Sequence, residues 1–192
     1  MGELAEPIPS DGRPPQMSPW PTVSRRQLTE GRFISAFQDE VLLAEGVTGT
    51  WEWVDVADAV RVVAVDAERR IALVEDEFYL QRRRLLLVPG GGVERAEEPE
   101  AAARRELEEE TGWRAGRLDP LGVIEQLPTA TPARAHLFLA RELTPGTLAR
   151  EASEAGMTLH WRTMDEAVAA VREGAITEAG SVSAILLAAL RL

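Results

Sequence analysis

The segment from Leu85 to Trp113 constrains the fold more than any other part of the chain. It opens with the apolar run Leu85–Val88, which is typical of a buried strand. Pro89 and the three glycines after it end that strand, and glycine permits unusual backbone angles and a close approach of the backbone to a ligand. We therefore predict a buried strand that leads directly into a loop within reach of a ligand.

The residues after the glycines predict a helix over about 99–111. Pro99 suits the first turn, where a missing N–H leaves no hydrogen bond unmade. The alanines at 101–103 are strong helix formers. Gly112 stands where a left-handed residue commonly ends a helix.

One face of this helix concentrates negative charge. Glu106, Glu109 and Glu110 lie at i, i+3 and i+4, so their carboxylates share that face. Two carboxylates about 4 Å apart repel by roughly 4 kcal/mol at an effective dielectric of about 20, and Mg²⁺ or Mn²⁺ relieves that cost. We expect Arg105 to orient the acids through charge-assisted hydrogen bonds, with a plain surface ion pair as the alternative. A solvated acidic helix is the simpler interpretation, but it does not account for the glycines and Arg105 together.

The segment resembles the Nudix box, which is a glycine, five residues, a glutamate, seven residues, and then Arg-Glu-apolar-any-Glu-Glu-any-Gly-apolar. The matching residues are Gly91, Glu97, Arg105, Glu106, Leu107, Glu109, Glu110, Gly112 and Trp113. The resemblance implies the Nudix fold, an α/β (α+β) architecture in which a mixed β-sheet is sandwiched between helices.

The resemblance also implies a set of site residues. The implied metal ligands are Glu106, Glu109, Glu110 and the carbonyl of Gly90. The implied catalytic residues are the same three glutamates, Arg105, and an acid in the loop 144–157 that is either Glu151 or Glu154. Gly91 is implied to lie against the substrate, and Glu97 to support the ligands. A solvated surface loop remains the alternative for Glu151 and Glu154.

Over about residues 32–192 the chain is similar to the ADP-ribose pyrophosphatase branch of this family. The similarity implies Mg²⁺- or Mn²⁺-dependent hydrolysis of a nucleoside diphosphate linked to another moiety, with ADP-ribose giving AMP and ribose 5-phosphate as the leading expectation. The alternatives are hydrolysis of a sugar nucleotide or another nucleotide, and a sensor that keeps the fold without activity. In that branch an N-terminal hairpin is exchanged within a homodimer, so a homodimer is implied here.

Aromatic and basic residues supply further candidates for substrate binding. Trp51 and Trp53 share one face of a predicted strand, where they either pack in the sheet or a dimer contact, or stack on a nucleobase. Arg82 and Arg84 precede the glycine loop and either bind phosphate or lie in a solvated loop. His136 is expected to be packed and hydrogen-bonded rather than catalytic.

The length of 192 residues suits one domain with a tail. We predict a flexible Pro-rich arm over residues 1–28 and a domain over 29–192, with an antiparallel hairpin at 29–58 that lies in the dimer contact. Two core strands, Ala59–Val65 and Arg70–Val74, are expected to pair across the turn between them. Later strands are expected at 118–127, 135–141 and 158–161, and helices at 165–173 and 181–192.

Composition excludes several classes of function. A net charge of −11 without a basic run argues against nucleic acid and anionic membranes as partners. The absence of cysteine rules out disulfides and thiolate metal sites, so we expect any metal to be held by oxygen ligands. No signal peptide or membrane-spanning run is evident, and we therefore expect a cytoplasmic protein.

Overall fold

A computed structural model of the chain describes residues 20–150 and 154–192. The residues cluster into two compact units, Met1–Asp55 and Val56–Leu192. The predicted hairpin belongs to the first of these units, and the domain bounds 29–192 stay a prediction. Among the described residues, no helix is long and apolar enough to cross a membrane.

The elements follow one another along the chain as nine strands and three α-helices within the described residues. The strands are β1 (Thr22–Glu30), β2 (Ser35–Leu42), β3 (Thr48–Asp55), β4 (Ala59–Ala64), β5 (Arg70–Phe78), β6 (Arg83–Leu87), β7 (Trp113–Glu125), β8 (Arg134–Pro145) and β9 (Thr158–Thr163). The helices are α1 (Pro99–Thr111), α2 (Met164–Arg172) and α3 (Ala179–Ala189).

The N-terminal unit is an antiparallel sheet with the strand order β1-β2-β3. The predicted hairpin is present as β2 and β3, which pair from Ser35↔Asp55 to Leu42↔Thr48. The prediction of a flexible arm is wrong for residues 22–28, because they form most of β1. Every residue of β1 is exposed, so the strand lacks the apolar alternation by which a sequence reveals a strand. Residues 1–19 lie outside the described part of the chain.

The second unit contains two three-stranded sheets. One has the order β4-β8-β7, with β4 parallel to β8 and β8 antiparallel to β7. The other has the order β6-β5-β9 and is antiparallel throughout. The expected pairing of β4 with β5 is wrong, since the described residues join these strands only through the isolated bridge Val65↔Ile71. The parallel partner of β4 comes about 70 residues later in the chain, and such a non-local pairing leaves no local signal.

Apolar side chains cover both faces of β4. Val60, Val62 and Ala64 pack in the cluster that contains Leu107 of α1. Val63, on the opposite face, packs in the cluster that contains Ile185 of α3. Helices therefore flank the sheet on both sides, as the sequence predicts, and the buried charged end of α1 is held against a rigid sheet.

The helix α1 matches its prediction at both ends. It begins at Pro99 and ends before Gly112, which has a φ of 74° and donates its N–H to the carbonyl of Glu108 over 2.8 Å. The remaining predicted strands and helices are present with boundaries that differ by a few residues. His136 is hydrogen-bonded as expected, with Nε2 3.0 Å from Asp58 Oδ2.

Candidate functional site

The loop after β6 requires glycine at two successive positions. Gly90 has a φ of 152°, and a Cβ there would lie 2.1 Å from the carbonyl oxygen of Val60. A Cβ on Gly91 would lie 2.4 Å from Oε1 of Glu106. The loop therefore passes so close to β4 and α1 that a larger residue displaces either a strand or a carboxylate.

Two carboxylates of α1 are buried beneath this loop. Glu106 is 8% exposed and Glu110 is 4% exposed. They lie one helical turn apart on the same face. The N–H of Gly90 donates to Oε2 of Glu110 over 2.9 Å, which ties the loop to the helix. Carboxylates are seldom buried so deeply, so the pair is a candidate for a functional site.

Arg105 bridges the acidic residues around it. Its Nε and Nη2 donate to the two carboxylate oxygens of Glu97, each over 2.9 Å. Its Nη1 donates to Glu106 Oε1 over 2.7 Å and to Glu109 Oε2 over 3.1 Å. Its Nη2 also donates to the carbonyl of Gly92 over 3.0 Å. A guanidinium with this many partners orients three carboxylates and is more than a single surface ion pair. The predicted contact with the acids of the helix is present for Glu106 and Glu109, whereas Glu110 accepts from the N–H of Gly90 instead.

The electrostatics of the buried pair favour neutralisation. Burial raises the pKa of Glu110 to about 8, and the charges of Glu106 and Glu154 add to the effect against the hydrogen bond from Gly90. Burial also raises the pKa of Glu106, although hydrogen bonding to Arg105 opposes the rise. Each carboxylate is thus costly to ionise where it stands, and a proton or a cation relieves that cost.

The donors around Glu106 fit a hard divalent cation in their chemistry. Glu106, Glu109 and Glu110 supply carboxylate oxygens, and Gly90 supplies a backbone carbonyl, which are the donor types that Mg²⁺ prefers. Within residues 20–150 and 154–192, however, no three acidic or histidine side chains already stand at the spacing of a finished cation site. Arg105 occupies oxygens of Glu106 and Glu109. A cation that binds here must therefore draw the carboxylates together.

A cavity of about 440 Å³ opens beside the buried pair. Its size falls in the range of about 300–1,000 Å³ that is usual for small-molecule sites. The residues that line the cavity include Arg61, Asp76, Glu77, Phe78, Gly90, Gly91, Glu110, Glu154 and Met157. Four acidic side chains thus face the cavity together with one arginine, and Arg61 is itself paired with Glu178 over 3.1 Å.

Glu154 is the candidate loop acid that the structure brings to the site. It lines the cavity, and its charge contributes to the raised pKa of both Glu106 and Glu110. Glu151, the other candidate, lies outside the described residues. The part that either acid plays in catalysis stays a prediction.

The remaining predicted substrate-binding residues have other surroundings. Trp51 and Trp53 lie in the N-terminal sheet, where the Trp53 ring stacks on Phe37 at a centroid distance of 4.7 Å. Arg84 donates to the carbonyls of Glu75 and Gly156 over 2.9 Å and 3.2 Å. Arg82 lies exposed in the turn before β6, with a φ of 53°. Substrate contacts of these four residues stay predictions.

Sequence reasoning missed three charged residues that line the cavity, namely Arg61, Asp76 and Glu77. Arg61 interrupts the β-branched run of β4, and Asp76 follows the buried run Ile71–Val74 of β5. A charged residue within a buried strand is rare, so the interruption of an apolar run by a charge was a signal that the sequence itself contained. The signal does not say whether the charge serves packing or ligand binding.

Fold and site together define a hydrolase of the Nudix class. The NUDIX domain matches residues 55–182, which is most of the chain. The chain belongs to the Nudix family, and it is a Nudix pyrophosphohydrolase that resembles ADP-ribose pyrophosphatases.

Two curated relatives have similar sequences. The chain is 31% identical over 133 residues to the ADP-ribose pyrophosphatase of Bacillus subtilis (strain 168), covering 69% of this chain and 72% of the relative. It is 30% identical over 165 residues to the methanol dehydrogenase activator of Bacillus methanolicus, covering 85% and 89%. A crystal structure of an ADP compounds hydrolase superimposes with a TM-score of 0.81 at 19% identity, covering 90% of this chain and 94% of that chain. The last likeness supports the fold alone.

Proposed function

We propose that the protein hydrolyses the pyrophosphate bond of a nucleoside diphosphate linked to a second moiety, and that ADP-ribose is its substrate. The observation that carries the proposal is the buried pair Glu106 and Glu110 beneath the glycine loop, with Arg105 orienting Glu106 and Glu109. The similarity to an ADP-ribose pyrophosphatase supports the choice of substrate. In this reaction a water oxygen attacks one phosphorus, the P–O–P bond breaks, and AMP and ribose 5-phosphate leave.

The cofactor that we propose is Mg²⁺ or Mn²⁺, held by Glu106, Glu109, Glu110 and the Gly90 carbonyl. When bound, such a cation neutralises the diphosphate and lowers the pKa of a water molecule. Once a cation has drawn the carboxylates together, Arg105 and the N–H of Gly90 limit their further movement when substrate binds. Glu154, on the cavity wall, is positioned to accept the proton of the attacking water.

The test is an assay of AMP release from ADP-ribose with Mg²⁺. Wild-type protein is compared with Glu110→Gln, which keeps the size of the side chain but removes a charged oxygen ligand. Glu108→Gln is the matched control, because Glu108 lies on the same helix but is held by Arg114 and the N–H of Thr147 outside the cluster. We expect Glu110→Gln to lose activity by about 100-fold or more, and Glu108→Gln to retain it. The proposal fails if wild-type protein releases no AMP or if Glu110→Gln matches it.

A second candidate function is activation of a dehydrogenase, which the similarity to the methanol dehydrogenase activator favours. The two functions are separated by adding wild-type protein or Glu110→Gln to a methanol dehydrogenase and following the rate of alcohol oxidation. Stimulation that survives in Glu110→Gln would assign the chain a binding role that does not need hydrolysis. If Glu110→Gln loses both hydrolysis and stimulation, the stimulation of the dehydrogenase depends on the same site as hydrolysis.

We also propose that the protein is a homodimer that uses its N-terminal sheet. Large apolar side chains are exposed on β1, at Val23 and Leu28, and in the turn between β1 and β2, at Phe33 and Ile34. A three-stranded sheet gains independent stability by burying an apolar face, and a second copy offers one. Light scattering checks the assembly: wild-type protein is expected at twice the mass of the chain, and Phe33→Glu with Ile34→Lys at the mass of one chain. A wild-type protein that is monomeric at micromolar concentration would contradict the proposal.

A further inference from the structure

Asp76 is a buried carboxylate for which the described residues provide no partner. It is 8% exposed, and it makes no hydrogen bond or ion pair with the residues that the structure describes. Two other carboxylates of this unit differ in being paired: Glu97 with Arg105, and Glu178 with Arg61. Burying an unpaired carboxylate is unfavourable, so Asp76 lowers stability unless a ligand completes its hydrogen bonds.

The surroundings of Asp76 are apolar and open toward the cavity. Val74, Asp76 and Phe78 share one face of β5, and all three line the cavity. Leu85 lies opposite Asp76 on β6. Val74, Leu85 and Met157 belong to one buried cluster, against which Phe78 packs. The wall therefore offers an apolar surface with a single hydrogen-bond acceptor.

The turn that contains Gly156 passes beside Asp76. A Cβ on Gly156 would lie 4.0 Å from Oδ1 of Asp76, which is an ordinary van der Waals distance. Asp76 itself lines the cavity, so its carboxylate is within reach of a ligand that enters there.

Asp76 is separate from the carboxylates assigned to the cation. Asp76 lies on β5, and Val74 on the same strand packs in a cluster with Leu85 and Met157. The carboxylates assigned to the cation lie on α1, a helix that packs through Leu107 in a different cluster. Asp76 is therefore positioned to contact a part of the substrate other than the diphosphate and its cation.

We propose that Asp76 determines specificity by accepting hydrogen bonds from hydroxyl groups of the moiety linked to the nucleoside diphosphate, which makes sugar-bearing compounds the substrate class. The inference rests on the proposed function. A carboxylate accepts two hydroxyl donors at once, and adjacent hydroxyls of a sugar present them at that spacing. The apolar wall of Val74 and Phe78 contacts the carbon face of the same group. An anionic group is excluded here, because Glu77 and Glu154 add negative charge to the same cavity.

The experiment compares three substrates that differ only in the linked moiety: ADP-ribose, the butyl ester of ADP and its 4-aminobutyl ester. The variants are Asp76→Leu and Asp76→Asn, measured as full-length protein with Mg²⁺. Glu75→Gln is the matched control. It removes the same charge from the neighbouring position of β5, where Glu75 instead pairs with Arg84.

We expect Asp76→Leu to lower kcat/KM for ADP-ribose by between about 10-fold and about 100-fold, chiefly through KM, because a hydrogen bond to a charged acceptor is lost. The butyl ester should be hydrolysed equally by wild type and variant, and Glu75→Gln should behave as wild type. Asp76→Asn, which keeps one acceptor oxygen, should have a kcat/KM for ADP-ribose between those of wild type and Asp76→Leu. Ligand-free Asp76→Leu should unfold at a higher temperature than wild type, which shows that the variant folds and that the carboxylate is unpaired without ligand.

Three results would overturn the inference. The first is an equal loss of activity toward ADP-ribose and the butyl ester together with a higher Mg²⁺ requirement, which would make Asp76 a cation ligand. The second is a wild-type preference for the aminobutyl ester that disappears in Asp76→Leu, which would make the partner an ammonium group. The third is an unchanged preference for ADP-ribose in Asp76→Leu.

A binding measurement separates this inference from the proposed function. Calorimetry with ribose 5-phosphate and butyl phosphate in Mg²⁺ requires no hydrolysis. Tighter binding of ribose 5-phosphate that Asp76→Leu abolishes supports the role of Asp76 even if no AMP is released from ADP-ribose. Equal binding of the two phosphates by wild-type protein overturns that role even if ADP-ribose is hydrolysed.

Discussion

The backbone N–H of Gly90 donates to Oε2 of Glu110 over 2.9 Å, so the glycine loop and the acidic helix fix each other. The next residue, Gly91, stands against Glu106, one turn earlier on α1. Residues far apart in the motif are thus in direct contact, and the conformation of the loop determines where both buried carboxylates lie. This relation explains why glycines and glutamates occur in the motif at a fixed spacing.

Replacing Gly91 should disable the site without unfolding the protein. In Gly91→Ala the new Cβ would lie 2.4 Å from Oε1 of Glu106, so that carboxylate must rotate away from Arg105 and the cation position. We expect kcat to fall by about 100-fold, since small misplacements of a catalytic group cost that much. Gly92→Ala is the control, because nothing lies within 4 Å of its Cβ. Equal AMP release by the two variants would contradict the contact.

The several N–H donors of the Arg105 guanidinium should be needed for activity in addition to its positive charge. Arg105→Lys keeps a cation near Glu97 but cannot reach Glu97, Glu106 and Glu109 together. We expect a loss of activity of about 10- to 100-fold, as is usual for groups that orient metal ligands. Arg104→Lys, next in the chain and paired with exposed Glu100, is the control. Full activity in Arg105→Lys would reduce Arg105 to a general positive charge.

The parts of the molecule that local sequence dictates were predictable. Pro99 and Gly112 mark the ends of α1, and the spacing of Glu106 and Glu110 places both on one face. The strand β1 was not predictable, because its stability comes from pairing with β2 and from cross-strand contacts such as Arg25 with Asp39 at 2.8 Å. The role proposed for Asp76 was equally hidden, since it depends on the lack of a partner among the residues that the structure describes.

A divalent cation should stabilise the folded protein through the carboxylates of α1. The cation binds the native state and relieves the cost of ionising Glu106 and Glu110 where they are buried. With Mg²⁺ or Mn²⁺ at about 100 times its dissociation constant, we expect a rise in Tm on the order of 5 °C. Scanning calorimetry should show the rise in wild type and in Glu108→Gln. The same rise in Glu110→Gln would place the cation elsewhere.

The ion pair between Glu178 and Arg61 should make stability depend on pH. Burial tends to raise the pKa of Glu178, but the charge of Arg61 and hydrogen bonds from Ser181 and Arg61 outweigh it, so the pKa is lowered. A carboxylate with a lowered pKa stabilises the native state above its unfolded-state pKa of about 4, and that contribution is lost as the pH falls through the lower folded-state value. Glu178 also accepts from the N–H groups of Gly180 and Ser181 at the start of α3.

Urea denaturation of Glu178→Gln and wild type from pH 7 to pH 3 checks this dependence. We expect the variant to be less stable at pH 7 and the difference to shrink steadily below about pH 4, because protonation removes the same charge from wild type. Glu173→Gln, at an exposed position after α2, should differ little from wild type over the whole range. A difference that stays constant down to pH 3 would mean that Glu178 acts on α3 through shape and neutral hydrogen bonds. Its charge, and with it the pairing to Arg61, would then add nothing to stability.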